Sequence, residues 1–309
     1  MKKHNTILIT GSKGLLGSAI LRYLEKRGYK KILSPSKNEL NLLNFRKSNN
    51  YFKKKKPEII FHCANVVYGI SGNYINGFNI LNNNLLINTN ILLLAKKFKI
   101  NSFNYISSSA VYSKKTKFYK YSEKEFLKDE PHEAEYEYGL SKRIMYYQLN
   151  SVEDKDFKFK YFIMNNLYGI NDNFKIETSH VIPALIHKFY LSKLQSKHVK
   201  ILGNRKNIRC FMNSNDAAEA IFKSLKNKNK VVNIGSKNEV TIEFLVEILS
   251  EIFNYKKIKW TKSKYKPIFK RSLNLSILKK TGFKEKYSLT VGLRNTVEWF
   301  MKNYKTLRK

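Results

Sequence analysis

The segment TILITGSKGLLG, residues 6–17, constrains this chain more than any other. TILIT is a short apolar run and reads as a buried first strand. Gly11, Gly14 and Gly17 follow at Gly-x-x-Gly-x-x-Gly spacing. Leu16, Ile20, Leu21 and Leu24 then recur at helical intervals. Glycines between a strand and a helix permit a tight turn and let backbone N–H groups approach a pyrophosphate. The helix N-terminus adds a favourable partial charge. The loop Gly11, Ser12, Lys13, Gly14, Leu15, Leu16 and Gly17 therefore reads as a candidate dinucleotide site.

Strand and helix patterns keep alternating beyond it. Lys31–Leu33, EIIFHCA after Pro57, Asn104–Ser108 and Lys158–Met164 read as strands. Asn84–Phe98 and Tyr138–Leu149 read as helices. That alternation predicts an α/β fold with a doubly wound parallel sheet. After about residue 170 the pattern is less regular, with helices near Val181–Leu191, Asp216–Leu225, Thr241–Phe253 and Thr290–Tyr304. A nucleotide-binding domain over 1–170 is expected to carry a smaller substrate lobe over 171–309, with segments around 204–238 returning to the sheet.

Composition excludes several other classes. With 42% hydrophobic residues in 309 the chain can bury a core, which a disordered chain cannot. No apolar run approaches the roughly 18–20 residues of a membrane span. Two cysteines, Cys63 and Cys210, do not make a disulfide framework and fit a reducing cytoplasm. The formal net charge of +36 suggests nucleic acid at first sight. Yet the lysines are spread from end to end and no recognition motif accompanies them, so neither a nucleic-acid nor a membrane partner is expected. The densest cluster, Lys53–Lys56, reads as a solvated helix end.

An NAD site usually offers an acid to the ribose hydroxyls at the end of the second strand. Here SPSKNEL, residues 34–40, meets Lys37 before Glu39, and Lys13 lies inside the glycine loop. Two cations favour a 2′-phosphate, hence NADP. Tyr138 and Lys142 form Tyr-x-x-x-Lys within YGLSK, and positions i and i+4 share a helix face. An ammonium beside a phenol favours the phenolate and tunes the tyrosine as an acid or base. YISSSAVY, residues 105–112, places Ser108 at a strand end, where its hydroxyl can hold the same substrate oxygen. None of the six histidines has a neighbour at metal-ligand spacing, so no metal is expected. There is no Gly-x-Ser-x-Gly elbow of a hydrolase.

These segments resemble the extended short-chain dehydrogenase/reductase superfamily, and within it the GDP-L-fucose synthase branch. GSKGLLGSAI (11–20), NELNLLN (38–44), Val67–Ile70, NNLLINTNIL (83–92) and SSSAVY (107–112) carry the likeness. NNLYGINDNF (165–174) and SHVIPALIHKF (179–189) are the most specific parts. The resemblance implies a Rossmann sheet with a mixed α/β C-terminal lobe. It also implies an NADPH-dependent epimerase/reductase acting on GDP-4-keto-6-deoxy-mannose, and a homodimer. In the dimer, Ile91, Leu92, Leu94, Ile144, Met145 and Tyr146 are expected to supply surplus apolar surface.

By position, Ser108, Tyr138 and Lys142 match the catalytic triad, and His180 matches an acid used in epimerisation. Ile106, Ser107, Lys142, Asn165, Asn166, Leu167 and His180 join the glycine loop and Lys37 around the cofactor. Lys188, Arg209 and Arg271 fall where the family binds substrate. One departure stands out. The family has a proton-removing cysteine two residues after the serine, and this chain has Ala110. Reduction is therefore expected to survive better than epimerisation. The alternatives are a dedicated 4-reductase or epimerase on another nucleotide sugar, or a cofactor-binding protein of the same fold without turnover.

Overall fold

The computed structural model describes residues 1–113, 120–263 and 268–307. In chain order the elements are β1 (Ile7–Thr10), α1 (Leu15–Lys26), β2 (Ile32–Leu33), α2 (Phe45–Lys55), β3 (Ile59–His62), α3 (Ile70–Lys97), β4 (Ser102–Ser108) and β5 (Lys120–Tyr121). Then come α4 (Tyr136–Val152), β6 (Lys158–Met164), β7 (Asn166–Tyr168), α5 (Val181–Leu194), β8 (Val199–Leu202), β9 (Ile208–Asn213), α6 (Ser214–Ser224) and β10 (Val231–Ile234). β11 (Glu239–Thr241), α7 (Ile242–Phe253), β12 (Ile258–Thr261), β13 (Ser272–Leu273), α8 (Ser276–Lys279) and α9 (Leu289–Asn303) complete it.

Six strands form the central sheet in the order β10-β6-β4-β3-β1-β2, and every pair is parallel. The order reverses about β1, so helices pass over both faces, which is a doubly wound Rossmann sheet. The pleat explains how short apolar strands serve two cores. Leu8 and Ile60 join Phe52, Ile91 and Met145 on the face covered by α2, α3 and α4. Ile7, Ile9 and Phe61 join Leu16, Ile20 and Ala217 on the face covered by α1 and α6. A third cluster lies beyond the sheet, where α5, α7 and α9 enclose Phe189, Leu249 and Phe300 with Val199 and Ile201 of β8. Smaller sheets, β11-β9-β7 and β12-β8, connect it to the rest. No described helix is long and apolar enough to cross a membrane.

Two features differ from the pattern-based expectation. α3 begins at Ile70, well before Asn84. Its first turns are rich in glycine and asparagine, so helical periodicity is absent, and tertiary bonds hold them. Gly69 N–H donates to Thr178 O at 3.1 Å. Asn76 departs from helical dihedrals (φ −115°, ψ 19°), and its Nδ2 donates to Gly72 O at 3.0 Å. A side chain on the i−4 carbonyl is a known cause of a kink. The second difference is the expected dimer surface. Ile91, Leu92, Leu94 and Met145 are buried in this chain's own core, because the inner faces of α3 and α4 meet the sheet. Lys53–Lys55 occupy the last turn of α2, where cations meet the negative end of the helix dipole.

A Cβ at Gly17 would run into Gly11 O and C well inside van der Waals contact, whereas one at Gly14 would meet only Gly11 O at 3.4 Å. Gly17→Ala is expected to destabilise the protein by roughly 1–3 kcal/mol, and Gly14→Ala by less than about 1 kcal/mol. Urea midpoints of the two variants check this; equal losses would contradict it.

Candidate active site

The carboxyl ends of β1, β3 and β4 lie side by side, and the loops leaving them build the site. Gly11 has φ +66°, in the left-handed region that favours glycine. A Cβ there would meet Ala64 N at 2.9 Å and Cys63 C at 3.0 Å. The glycine loop therefore packs as bare backbone on the segment leaving β3. Gly14 caps α1 without any side-chain bond. The first-turn amides are left for an external acceptor, and the cradle of bare backbone fits a pyrophosphate. The Ser12 hydroxyl is buried and donates to Pro35 O at 3.2 Å. Lys13 and Lys37 are exposed. Glu39, the only carboxylate in residues 34–40, accepts from Ser36 N–H and Oγ, each at 2.8 Å. Those bonds, with the fields of Lys13 and Lys55, hold its pKa below the usual carboxylate range.

Beneath the loop, a buried network ties four elements together, β1, β3, α3 and β4. The His62 ring contacts Thr10 Oγ1 through Nδ1 at 2.7 Å and Asn88 Oδ1 through Nε2 at 3.1 Å. Asn88 Nδ2 donates to Tyr105 Oη at 3.2 Å. An amide oxygen only accepts, so His62 carries its proton on Nε2 and Thr10 donates to Nδ1. Burial, reinforced by Lys142, pushes His62 down to about 3. It stays neutral and acts as a packed, hydrogen-bonded strut.

α4 turns Tyr138 and Lys142 inward, and they are 9% and 1% exposed. Lys142 Nζ donates to Ile106 O at 3.0 Å and lies 5.3 Å from the centroid of the Tyr138 ring. Burial lowers Lys142 to about 7, against a raising influence from Cys63. Burial raises Tyr138, and the charge of Glu135 adds to it. Ser108 ends β4 and accepts from Ala110 N–H at 3.2 Å, which leaves its hydroxyl hydrogen to donate elsewhere. The Ser107 hydroxyl points into the core and donates to Tyr161 Oη at 2.8 Å. Tyr161 Oη in turn donates to Lys142 O at 2.9 Å. Ala110 is 0% exposed and packs with Tyr138, Ile80 and Val66–Tyr68. Burial pushes the Cys63 thiol up to about 12 despite Lys142, so it remains protonated near neutral pH.

A charged corner adjoins Tyr138. Arg271, 5% exposed, pairs with Glu135 through Nη1. Burial would raise Glu135, but Arg271, with Arg209 and His180 behind it, brings its pKa below the ordinary value. Burial and the neighbouring Arg271 push Arg209 down to about 10. Its Nη1 donates to Ile208 O at 2.8 Å and Phe269 O at 3.3 Å. His180 caps the N-terminus of α5 and is exposed. The Arg271 Nε is buried without a partner among the described residues.

Other expected site residues are distributed around this centre. Asn165 follows β6, with Oδ1 accepting from Asn166 N–H at 2.9 Å and Nδ2 reaching Arg271 O at 3.5 Å. Asn166 and Leu167 lie on β7, where Leu167 packs toward the α1 face. Lys188 is further along α5, and its Nζ donates to Lys200 O of β8 at 3.2 Å.

Sequence reasoning missed two residues. Asn65 accepts from Tyr138 Oη at 3.0 Å. Glu135 faces the arginines. Neither belongs to a spaced motif, although Glu135, three residues before Tyr138, is close enough in sequence to have been suspected. Arg143, beside Lys142, is also buried. It donates to the carbonyls of Val111, Asp129 and Lys128, tying the segment after β4 to α4.

The chain as a whole is similar to known proteins. Residues 7–235 match the NAD dependent epimerase/dehydratase family. The GDP-L-colitose synthase of Yersinia pseudotuberculosis is 30% identical over 302 residues, 96% of this chain and 97% of that protein. A crystal structure of a GDP-L-fucose synthetase from Naegleria fowleri bound to NADP matches with a TM-score of 0.90 at 25% identity, over 100% of this chain and 96% of that one. A GDP-mannoheptose C4 reductase from Campylobacter jejuni with NADP bound matches with a TM-score of 0.84 at 25% identity, over 97% and 99%.

The buried lysine sets a pH dependence of stability. Lys142 is charged below about 7 in the fold, against 10.5 ordinarily. Between those values the unfolded chain binds the extra proton, so this term makes stability rise with pH there. Lys142→Met is expected to stabilise the fold most below pH 7, by on the order of a few kcal/mol, with the gain fading toward pH 10. Denaturation of parent and variant across that window checks the sign. A gain that grows with pH would contradict it.

Proposed function

This chain belongs to the NAD dependent epimerase/dehydratase family, in the extended short-chain dehydrogenase/reductase superfamily, and we propose that it is an NADPH-dependent reductase of the C4 ketone of a GDP-linked 4-keto-6-deoxy sugar. The carrying observation is the phenol of Tyr138, bonded to Asn65 and held over a buried lysine, beside a glycine cradle with no side-chain cap. The named relatives support the substrate class, since they are GDP-sugar synthases and a GDP-sugar C4 reductase. The placement of Lys13 and Lys37, with Glu39 spent on Ser36, supports a 2′-phosphate. In this reading the sheet domain takes the cofactor and the α5–α7–α9 lobe takes the sugar nucleotide.

NADPH, when bound along the glycine cradle, supplies the hydride. Gly11, Gly14 and Gly17 let the loop amides meet its pyrophosphate. Ser108 donates a hydrogen bond to the ketone oxygen, which polarises the carbonyl. Tyr138 gives its proton to that oxygen as negative charge develops on it. Lys142 stabilises the phenolate left behind and, with a pKa of about 7, can pass a proton back to it near neutral pH. Arg209 and Arg271 offer cations to the diphosphate, and Lys188 a weaker one.

Epimerisation beside the ketone needs one group to remove a proton and another to return it. Ala110 cannot act as a base, and the Cys63 thiol remains protonated. His180 is left to serve as the acid. We therefore assign C4 reduction to this chain, with 3,5-epimerisation slow or absent.

The exposed apolar residues of α3 and α4 support a homodimer, on a face other than the one the sequence pattern suggested. Beyond the kink at Asn76, Leu86 and Leu93 recur at i and i+7, one stripe of α3, and Tyr147 of α4 is also exposed. Leu86→Glu with Leu93→Glu is expected to shift the protein to a monomer in light scattering. A dimer that survives both would exclude this face.

Tyr138→Phe is expected to lose about 10²–10⁴-fold in turnover while NADPH binding, followed by fluorescence, is retained. The same assay should show a higher kcat/KM with NADPH than with NADH. In D2O without NADPH, the parent should exchange little deuterium at C3 and C5 of the 4-keto-6-deoxy sugar nucleotide. Rapid exchange at both carbons would restore the epimerase assignment. Near-normal turnover of Tyr138→Phe would remove the reductase one.

A further inference from the structure

The phenol has a partner that the reaction scheme above does not use. Tyr138 Oη donates to Asn65 Oδ1 at 3.0 Å. The other end of the same amide, Nδ2, donates to Cys63 O at 2.9 Å. That second bond decides which way the amide points. Turned over, Asn65 would set its oxygen against a carbonyl oxygen. Asn65 can therefore only accept from the phenol.

The support beneath it is rigid. Asn84 of α3 holds both polar groups of the next residue, donating to Val66 O at 2.8 Å and accepting from Val66 N–H at 2.7 Å. On the other side, Ala64 and Cys63 lie against Gly11. Lys142 makes no competing bond to the hydroxyl in this structure, because its Nζ is on Ile106 O.

A bond of this kind exists in one protonation state only. The phenol donates to Asn65, whereas a phenolate would face the amide lone pairs. A hydrogen bond to the neutral form disfavours ionisation. We propose that Asn65 is a positioning residue that keeps Tyr138 protonated between turnovers and so sets the site for ketone reduction rather than alcohol oxidation. The proposal rests on the reading of Tyr138 as the proton donor. In reduction, the hydroxyl turns from Asn65 to the substrate oxygen, gives up its proton there, and regains the Asn65 bond when it is reprotonated. In oxidation, a phenolate must form first, and Asn65 opposes it.

The other groups around the phenol are consistent with this assignment. Lys142 on α4 lies 5.3 Å from the ring centroid, and Cys63 after β3 is within electrostatic reach of that lysine. Glu135, in the turn before α4, opposes ionisation by its charge. Tyr105 of β4 and Tyr161 of β6 lie within electrostatic reach. His180 ahead of α5, Arg209 on β9 and Arg271 ahead of β13 act on Glu135. Burial and Glu135 raise the phenol; Asn65 adds a directed bond.

The test is the higher alkaline limb of kcat/KM for reduction, above the one that Lys142 sets at about 7, where the rate falls as the phenol ionises. Asn65→Ala should move that limb down by about 0.5–1 pH unit, the size of one neutral hydrogen bond. Asn65→Asp, nearly isosteric, should move it up, since a carboxylate beside the phenol opposes ionisation more strongly. A second readout needs no substrate. Protein labelled with ring-fluorinated tyrosine, whose phenol ionises at lower pH, is titrated by ¹⁹F NMR with NADP bound. The resonance of residue 138 is identified by its loss in Tyr138→Phe, and its midpoint should shift with the same two signs. Limbs and midpoints that stay at the parent values, or move the same way in both variants, overturn the proposal. If the parent reduces no 4-keto sugar nucleotide, or Tyr138→Phe keeps the parent rate, the reductase reading fails, and the ¹⁹F midpoints still decide the role of Asn65.

Discussion

Everything at this site depends on backbone packing directly on backbone at the carboxyl edge of the parallel sheet. Gly11 touches the segment leaving β3, Gly17 lies on Gly11, and Gly139 of α4 lies on Ala110 O. A methyl group at any of the three would separate the elements. With them in place, the loop after β1, the segment after β3, the end of β4 and the start of α4 converge on one cleft. Parallel strands all end at the same edge, so the loops leaving β1, β3 and β4 meet there.

That convergence brings polar groups into a crowded interior. Lys142 is almost wholly covered and has one carbonyl as its partner. Arg143 donates to the backbone carbonyls of Val111, Asp129 and Lys128. Burial acts with opposite sign on the two groups of the Tyr-Lys pair. It lowers the lysine and raises the tyrosine, so at neutral pH the phenol holds its proton and the lysine is poised near half-ionisation. A site prepared in this way favours donating a proton over removing one. The covered Ala110 and the protonated Cys63 point in the same direction. The neutral His62 network contributes by holding Thr10, Asn88 and Tyr105 in register without introducing a charge.

Much of this was legible in the residues. The glycine spacing, the Tyr-x-x-x-Lys pair and the apolar runs marked β1, α1, β3, β4, α4 and β6 to within a few positions, because a two- or 3.6-residue period survives in sequence. The start of α3 was not legible, since SGNYINGFNI has no period and is held by Thr178 O and by side-chain bonds. The outer faces of α3 and α4 were misjudged for a related reason. Apolar residues such as Ile91, Leu94 and Met145 face the sheet, and only the packing shows that Leu86 and Leu93 are left outside.

The sequence by itself determined the alternation of strands and helices, the glycine cradle and the identities of Ser108, Tyr138 and Lys142. These depend on local spacing and on residues with few conformational alternatives. Only the tertiary structure decided which groups surround the phenol. Asn65 reaches Tyr138 across 73 positions of chain, and Arg271 reaches Glu135 across 136. Asparagine is common in this chain, and nothing local distinguishes the one that accepts the phenol's hydrogen bond. Its role follows from a single amide orientation, fixed by Cys63 O, at a point where strands distant in sequence end together.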